Sequence, residues 1–217
     1  RTFRPLHARA DSSNTSVVLS VPSCAVPVLS ALQAKGLCMV NDDALWVFAY
    51  GSLVWNPGFN VAEQHIGQVA GFARSFCMSS IHHRGTVEQP GLVLALDAKD
   101  GASCEGVALR SADPSDVVLD MLRERELVSS AYYEDWIEVT LRDGRMVRAV
   151  SYIIDPTHVQ YCADLSLETQ AQIIARSTGG RGPNCEYLHN TYSHLESLGL
   201  RDEDLKWLSA RVREIKG

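Results

Sequence analysis

The sequence predicts an α+β protein, a small mixed or antiparallel β-barrel with α-helices packed against it. Three observations carry that prediction. Apolar, strand-like segments begin at Leu45, and in one of them Ile137, Val139 and Leu141 alternate with polar neighbours, the period of a half-buried strand. Asp-Gly pairs at 100–101 and 143–144 sit inside the two longest such segments, where they read as hairpin turns. Helical patterns occur once between these segments and then occupy the chain from Leu165 onward, so the order is strands, helix, strands, helices.

Each element follows in turn. Residues 1–44 read as an extension. "RTFRPLHARADSSNTS" is polar and aperiodic, as expected of a poorly ordered arm, and Pro27 to Lys35 suits a short helix stopped by Gly36. The domain itself is expected over 45–217. "LWVFAY" (45–50) is an apolar strand that breaks at Gly51 and Ser52, resumes through Val54 and Trp55, and stops at Asn56-Pro57-Gly58. "GLVLALDAKDGASCEGVALR" (91–110) predicts one hairpin and "WIEVTLRDGRMVRAVSYII" (136–154) a second. Between them, "DPSDVVLDMLREREL" predicts a helix. Asp113 caps it, Pro114 takes the first helical position, and Asp116 favours the positive N-terminus. Val118, Met121 and Leu122 form its apolar face, with Arg125 at the edge. Three helices close the chain: Leu165 to Ser177, Cys185 to Leu198, and Asp202 to Ile215.

Composition narrows the function. The 217 residues, 46% hydrophobic, suffice for one well-filled core. A net charge of −6, with no clustering of Lys and Arg among aromatics, lacks the electrostatic footprint of a nucleic-acid binder. No apolar run approaches the ~20 residues that span a bilayer. The six cysteines form no C-x-x-C pair, which gives no support to a zinc ribbon or a thioredoxin-type site. Scattered thiols fit a reducing cytosol, and no basic-then-apolar signal order precedes residues 16–32. The expectation is a cytoplasmic protein, with the periplasm as the alternative.

Four stretches could carry chemistry. In Tyr50-Gly51-Ser52-Leu53, glycine after a buried strand lets a ligand approach the backbone, and successive N–H groups in such a bend attract anions. An ordinary tight turn explains the same residues. In "RERELVSSAY" (123–132), Glu124 and Glu126 point in different directions. Glu126 lies at the helix end, where the negative pole of the dipole disfavours ionisation and suits a proton carrier. A solvated charged face is the alternative. "GGRGPNCEYL" (179–188) lacks the Lys-Ser/Thr of a phosphate loop, and Asn184 after Pro183 reads as a helix cap in a plain interhelical loop. In "SIHHRGTVEQPG" (80–91), His82 and His83 point apart on a strand, and no metal is expected. Arg84 could grip a carboxylate bidentately or form a surface salt bridge.

Taken together, "WVFAYGSLVWNPGF", "HHRG…QPG", "EGVALR", "LRERELVSSAY" and "GRGPNCEYL" resemble the ChaC family of γ-glutamylcyclotransferases, its glutathione-specific branch, in order and spacing from Leu45 to the C-terminus. Position 49, commonly glycine in that family, is Ala49 here. The resemblance implies a γ-glutamylcyclotransferase-like barrel and a reaction in which the free α-amine of glutathione attacks its own γ-carbonyl. That reaction yields 5-oxoproline and cysteinylglycine without metal or cofactor. It implies Glu126 as base and then acid, and a substrate-binding stretch of Val47, Phe48, Ala49, Tyr50, Gly51, Ser52 and Leu53, with Tyr50 as one wall. Arg84 and Tyr132 complete the implied substrate contacts. Related branches acting on γ-glutamyl-amino acids or γ-glutamylamines are the first alternative, and a non-catalytic γ-glutamyl-binding module is the second. The oligomeric state stays open.

Overall fold

The computed structural model describes residues 44–217. The arm and short helix expected near the N-terminus fall in residues outside that range. The described chain runs β1 (Trp46–Ala49), a 3-10 turn (Ser52–Val54), β2 (Val61–Ser80), β3 (Gly91–Ser111), α1 (Ser115–Glu126), β4 (Tyr132–Leu141) and β5 (Met146–Ile154). It continues through α2 (Leu167–Arg176), a ribbon of β6 (Thr178–Gly179) and β7 (Gly182–Pro183), α3 (Asn184–Ser197) and α4 (Glu203–Lys216). Strands β1 to β5 close a barrel in the order β1-β3-β2-β4-β5, antiparallel except where β5 meets β1 and β3. This is the α+β barrel the sequence predicts.

The unbroken hydrophobicity of "WVFA" has a simple cause, since both faces of β1 are covered. Trp46 and Phe48 point into the barrel beside Ala108, Val139 and Ile153. Val47 and Ala49 point outward into the layer shared with α2, α3 and α4, where Ile174, Leu188 and Leu208 are buried. A strand buried on both faces loses the polar half of its alternation.

The segment 136–154 forms the expected hairpin, β4 pairing with β5 from Tyr132↔Ile154 to Thr140↔Met146. The segment 91–110 does not. It is one long strand, and both halves pair with β2: Ala98 with Phe72, and Ser103 with Ala70. The intervening residues bulge opposite Gly71. A two-residue type I′ hairpin needs positive φ at both central residues, whereas here Gly101 has φ +73° and Asp100 does not share it. The same Asp-Gly pair that signals a hairpin also suits a bulge, which needs one such residue.

The helices agree with the sequence to within two residues, but two caps differ. Asp113 does not cap α1; its carboxylate holds the Asn60 amide nitrogens at 2.8 and 2.9 Å, and Pro114 occupies the cap position with no side-chain cap bond. Asn184 opens α3 rather than capping it. Its buried amide clamps β3 instead, accepting from Leu92 N and donating to Leu92 O, both at 2.7 Å. Ser166 and Asp202 do cap, accepting from Thr169 N and Leu205 N.

Candidate active site

The end of β1 delivers Tyr50 to the barrel rim. Its phenol donates to the Tyr152 carbonyl at 2.6 Å. Its own carbonyl accepts from Arg74 Nη1 at 3.3 Å, and the same nitrogen donates to the Glu105 carbonyl at 2.9 Å. The Arg74 side chain is buried, so its charge requires compensation, and Asp202 Oδ2 supplies it by accepting from Nε and Nη2 at 3.0 and 2.8 Å. Past this anchor the chain curls. Gly51 O accepts from Val54 N at 3.0 Å and Ser52 O from Asn56 N at 2.9 Å, forming the short turn. The opening N–H groups of a helical turn have no partner within it, so the amides at 51–53 take no bond from this turn.

Gly51 has φ −135°, so glycine is not needed there for a left-handed backbone. Space beside it is tight. A Cβ at this position would lie 3.3 Å from the Tyr187 hydroxyl and 3.8 Å from Leu94 Cβ. Leu94 in β3 fixes two tyrosines, its N–H donating to Tyr187 Oη at 3.3 Å and its carbonyl accepting from Tyr132 at 2.9 Å.

These groups surround a cavity of about 170 Å³ whose polar lining includes Arg84, Arg125, Arg181 and Glu126. Three guanidiniums against one carboxylate give the cavity a positive character that favours an anionic ligand. Glu126 is the last residue of α1, and its side chain is 19% exposed. Its Oε1 is fully buried and accepts no hydrogen bond; Arg125 Nε lies 3.0 Å away, an ion-pair neighbour out of line to donate. Burial pushes the carboxyl above the ordinary glutamate range, opposed by the charges of Arg125 and Arg181. This differs from the dipole argument made on sequence in cause but not in direction. Burial likewise raises Tyr50, Tyr132, Tyr152 and Tyr187, so these phenols stay protonated at neutral pH. His83, which also lines the cavity, is lowered by burial and by neighbouring arginines. Glu124 is exposed and lies outside the cavity.

The structure therefore brings together Tyr50, Gly51, Ser52, Leu53, Arg84, Glu126 and Tyr132 around one cavity. Val47, Phe48 and Ala49 do not join them. They are fully buried, and their backbone is committed to the ladder with β3, so the cavity-lining stretch begins at Tyr50. Arg84 is partly engaged already: Nη1 donates to the Arg181 and Pro183 carbonyls at 2.7 and 3.2 Å, and the guanidinium lies 5.5 Å from the Tyr187 ring centroid.

The interhelical loop read as plain is part of this wall. It forms the β6–β7 ribbon, bonds the 82–83 carbonyls through Gly180 and Arg181 N–H groups, and presents Arg181. Sequence reasoning also passed over Tyr152 and Tyr187. A tyrosine within a helix or strand carries no local mark of a site; only the long-range packing of α3 and β5 supplies it.

A family model described as "ChaC-like protein" matches residues 45–215. The glutathione-specific gamma-glutamylcyclotransferase of Escherichia coli (strain K12) is 35% identical over 187 residues, 86% of this chain and 80% of that protein. Glutathione-specific gamma-glutamylcyclotransferase 1 of Homo sapiens is 32% identical, with 76% and 75% covered. Among solved structures, a yeast gamma-glutamyl cyclotransferase specific to glutathione superposes with a TM-score of 0.71 at 23% identity. The superposition covers 80% of this chain and 97% of that one, a shared fold.

Proposed function

Because the chain belongs to the ChaC-like family, we infer that it is a glutathione-specific γ-glutamylcyclotransferase, releasing 5-oxoproline and cysteinylglycine. One observation of the site carries the assignment. Glu126 is the single carboxylate among the residues lining the cavity, part-buried, biased toward holding a proton, and surrounded by anion-binding groups.

The chemistry follows from the substrate's shape. The α-nitrogen and the γ-carbonyl carbon close a five-membered ring, so holding the folded conformer supplies much of the acceleration. The neutral amine attacks the carbonyl carbon, and the π electron pair moves to oxygen. Glu126 takes a proton from the attacking nitrogen as that bond forms. It returns the proton to the cysteinyl nitrogen as the old amide bond breaks. Atoms balance without water. Backbone N–H groups of the 51–53 turn stand in the role of oxyanion stabilisers, with the Tyr187 hydroxyl nearby, which accepts from Leu94 N and keeps its own proton to donate. Arg84, Arg125 and Arg181 face a substrate with two carboxylates.

Cysteines 77, 104, 162 and 185 are free thiols, which suits action in a reducing compartment such as the cytosol. No helix among the described residues is long and apolar enough to cross a membrane. The test is direct: purified protein given glutathione should produce 5-oxoproline and cysteinylglycine in equal amounts, and absence of both products would reject the assignment.

A further inference from the structure

Arg125 is a neighbour of Glu126 on one helix, and successive helical side chains diverge by about 100°. The two nevertheless meet at the end of α1, because the Arg125 side chain folds back across the site. It is 14% exposed and makes three contacts there. Nε sits 3.0 Å from Glu126 Oε1, Nη2 donates to Ser52 Oγ at 2.9 Å, and Nη1 donates to the Asn56 carbonyl at 2.6 Å. We propose that Arg125 is a positioning residue that locks Glu126 and the Ser52–Val54 turn into one unit, so that base and substrate-binding backbone keep a fixed relation.

The proposal rests on the cyclotransferase reading above, and three consequences give it content. First, Oε1 is buried with Arg125 Nε 3.0 Å away, so the guanidinium fixes the orientation of the carboxylate. Second, Ser52 Oγ spends a lone pair on Arg125, and its own proton is free to donate into the cavity. Third, the held Asn56 carbonyl closes the far end of the turn that opens with Gly51. A planar guanidinium can donate to Ser52 Oγ and the Asn56 carbonyl at fixed angles while its charge lies against Glu126, which the point charge of lysine cannot do at once.

Arg125 also sets when Glu126 is ionised. Facing Glu126 are Arg125 from its own helix, Arg181 from the turn between β6 and β7, and the phenols of Tyr50 just after β1, Tyr132 in β4, Tyr152 in β5 and Tyr187 in α3. The two arginines alone favour the carboxylate. Removing Arg125 leaves only the exposed Arg181, so Glu126 holds its proton to higher pH. The acid limb of the rate profile must then move upward.

The experiment measures kcat, KM and the pH profile of kcat/KM with glutathione for wild type, Arg125→Met and Arg125→Lys. Arg125→Met should lose at least tenfold in kcat and move the acid limb up by roughly one unit or more, the scale of a lost contact charge. Arg125→Lys should restore the limb toward wild type, because the charge returns, while kcat remains low, because the fork does not. A purely structural role predicts lower thermal stability with the limb unmoved, and that result overturns the proposal. If Arg125→Met does not fold, Arg125→Lys decides: wild-type kcat, or a reduced kcat with lowered thermal stability, sinks the proposal, and a reduced kcat with wild-type thermal stability and a near-normal limb supports it. The cyclotransferase reading fails separately, when wild type itself makes no 5-oxoproline. In that event, 13C NMR titration of the Glu126 carboxyl carbon in unliganded wild type and Arg125→Lys or Arg125→Met still reads the coupling. Identical titrations in wild type and Arg125→Met would overturn it.

Discussion

Asn184→Ala should be among the most damaging single substitutions outside the cavity. The amide is 0% exposed and serves both backbone groups of Leu92, itself 2% exposed, through two bonds of 2.7 Å. Alanine leaves one buried N–H and one buried C=O without partners. At about 1–3 kcal/mol for each unsatisfied group, the cost is roughly 2–6 kcal/mol, a large part of a typical domain's stability. The contact ties the start of α3 to β3 two residues before Leu94, which holds Tyr132 and Tyr187. Activity in the folded fraction should therefore fall as well. Urea unfolding at neutral pH reads the stability through the midpoint, with the slope as a check that the same surface is exposed. A loss below about 1 kcal/mol would mean that both Leu92 groups find other partners once the amide is gone, and would refute the two-point clamp.

Four further substitutions probe the site and its surroundings. Glu126→Gln should lower turnover by roughly 10²–10⁴-fold, the range of a lost general acid–base group, while exposed Glu124→Gln stays active; steady-state rates decide, and a swapped result would place the proton carrier elsewhere. The same Glu126→Gln change should stabilise the protein near neutrality. The folded carboxyl binds its proton more tightly than the unfolded one, so wild type loses stability as pH rises through the raised value. The gain should vanish below about pH 4, where glutamate is protonated in both states; melting temperatures across pH check it. Gly51→Val places its added carbons against the Tyr187 hydroxyl, which already stands 3.3 Å from a bare Cβ. It should abolish turnover, whereas Ser52→Ala should be milder if backbone N–H groups hold the substrate.

The barrel was legible in the sequence because its strands announce themselves locally. "WVFA" is apolar on both faces, and "WIEVTLRDGRMVRAVSYII" alternates around a true hairpin turn. β2 escaped notice because its pattern is broken. Gly67 lies so close to β4 that a Cβ would sit 2.5 Å from Val139 Cγ1, and Gly71 sits at the bulge. With that partner unseen, the two halves of β3 could only be paired with each other. Glu126 and the Tyr50–Leu53 bend were visible for the same local reason: a carboxylate at a helix end, and a glycine after a buried strand. Arg125, Arg181 and Tyr187 were not. Their roles come from contacts such as Arg125 to Ser52, 73 positions apart, and no spacing rule reports a contact of that range.

The central claim is that the attacking atom is the substrate's own amine. Glutathione and N-acetylglutathione, incubated side by side with the purified protein and resolved by mass spectrometry, test it without any mutation. Acetylation removes the nucleophile but leaves the γ-amide available to activated water. The account predicts 5-oxoproline from glutathione, no free glutamate, and no cleavage of the acetylated compound. Glutamate as the main product, or release of cysteinylglycine from N-acetylglutathione, would contradict it.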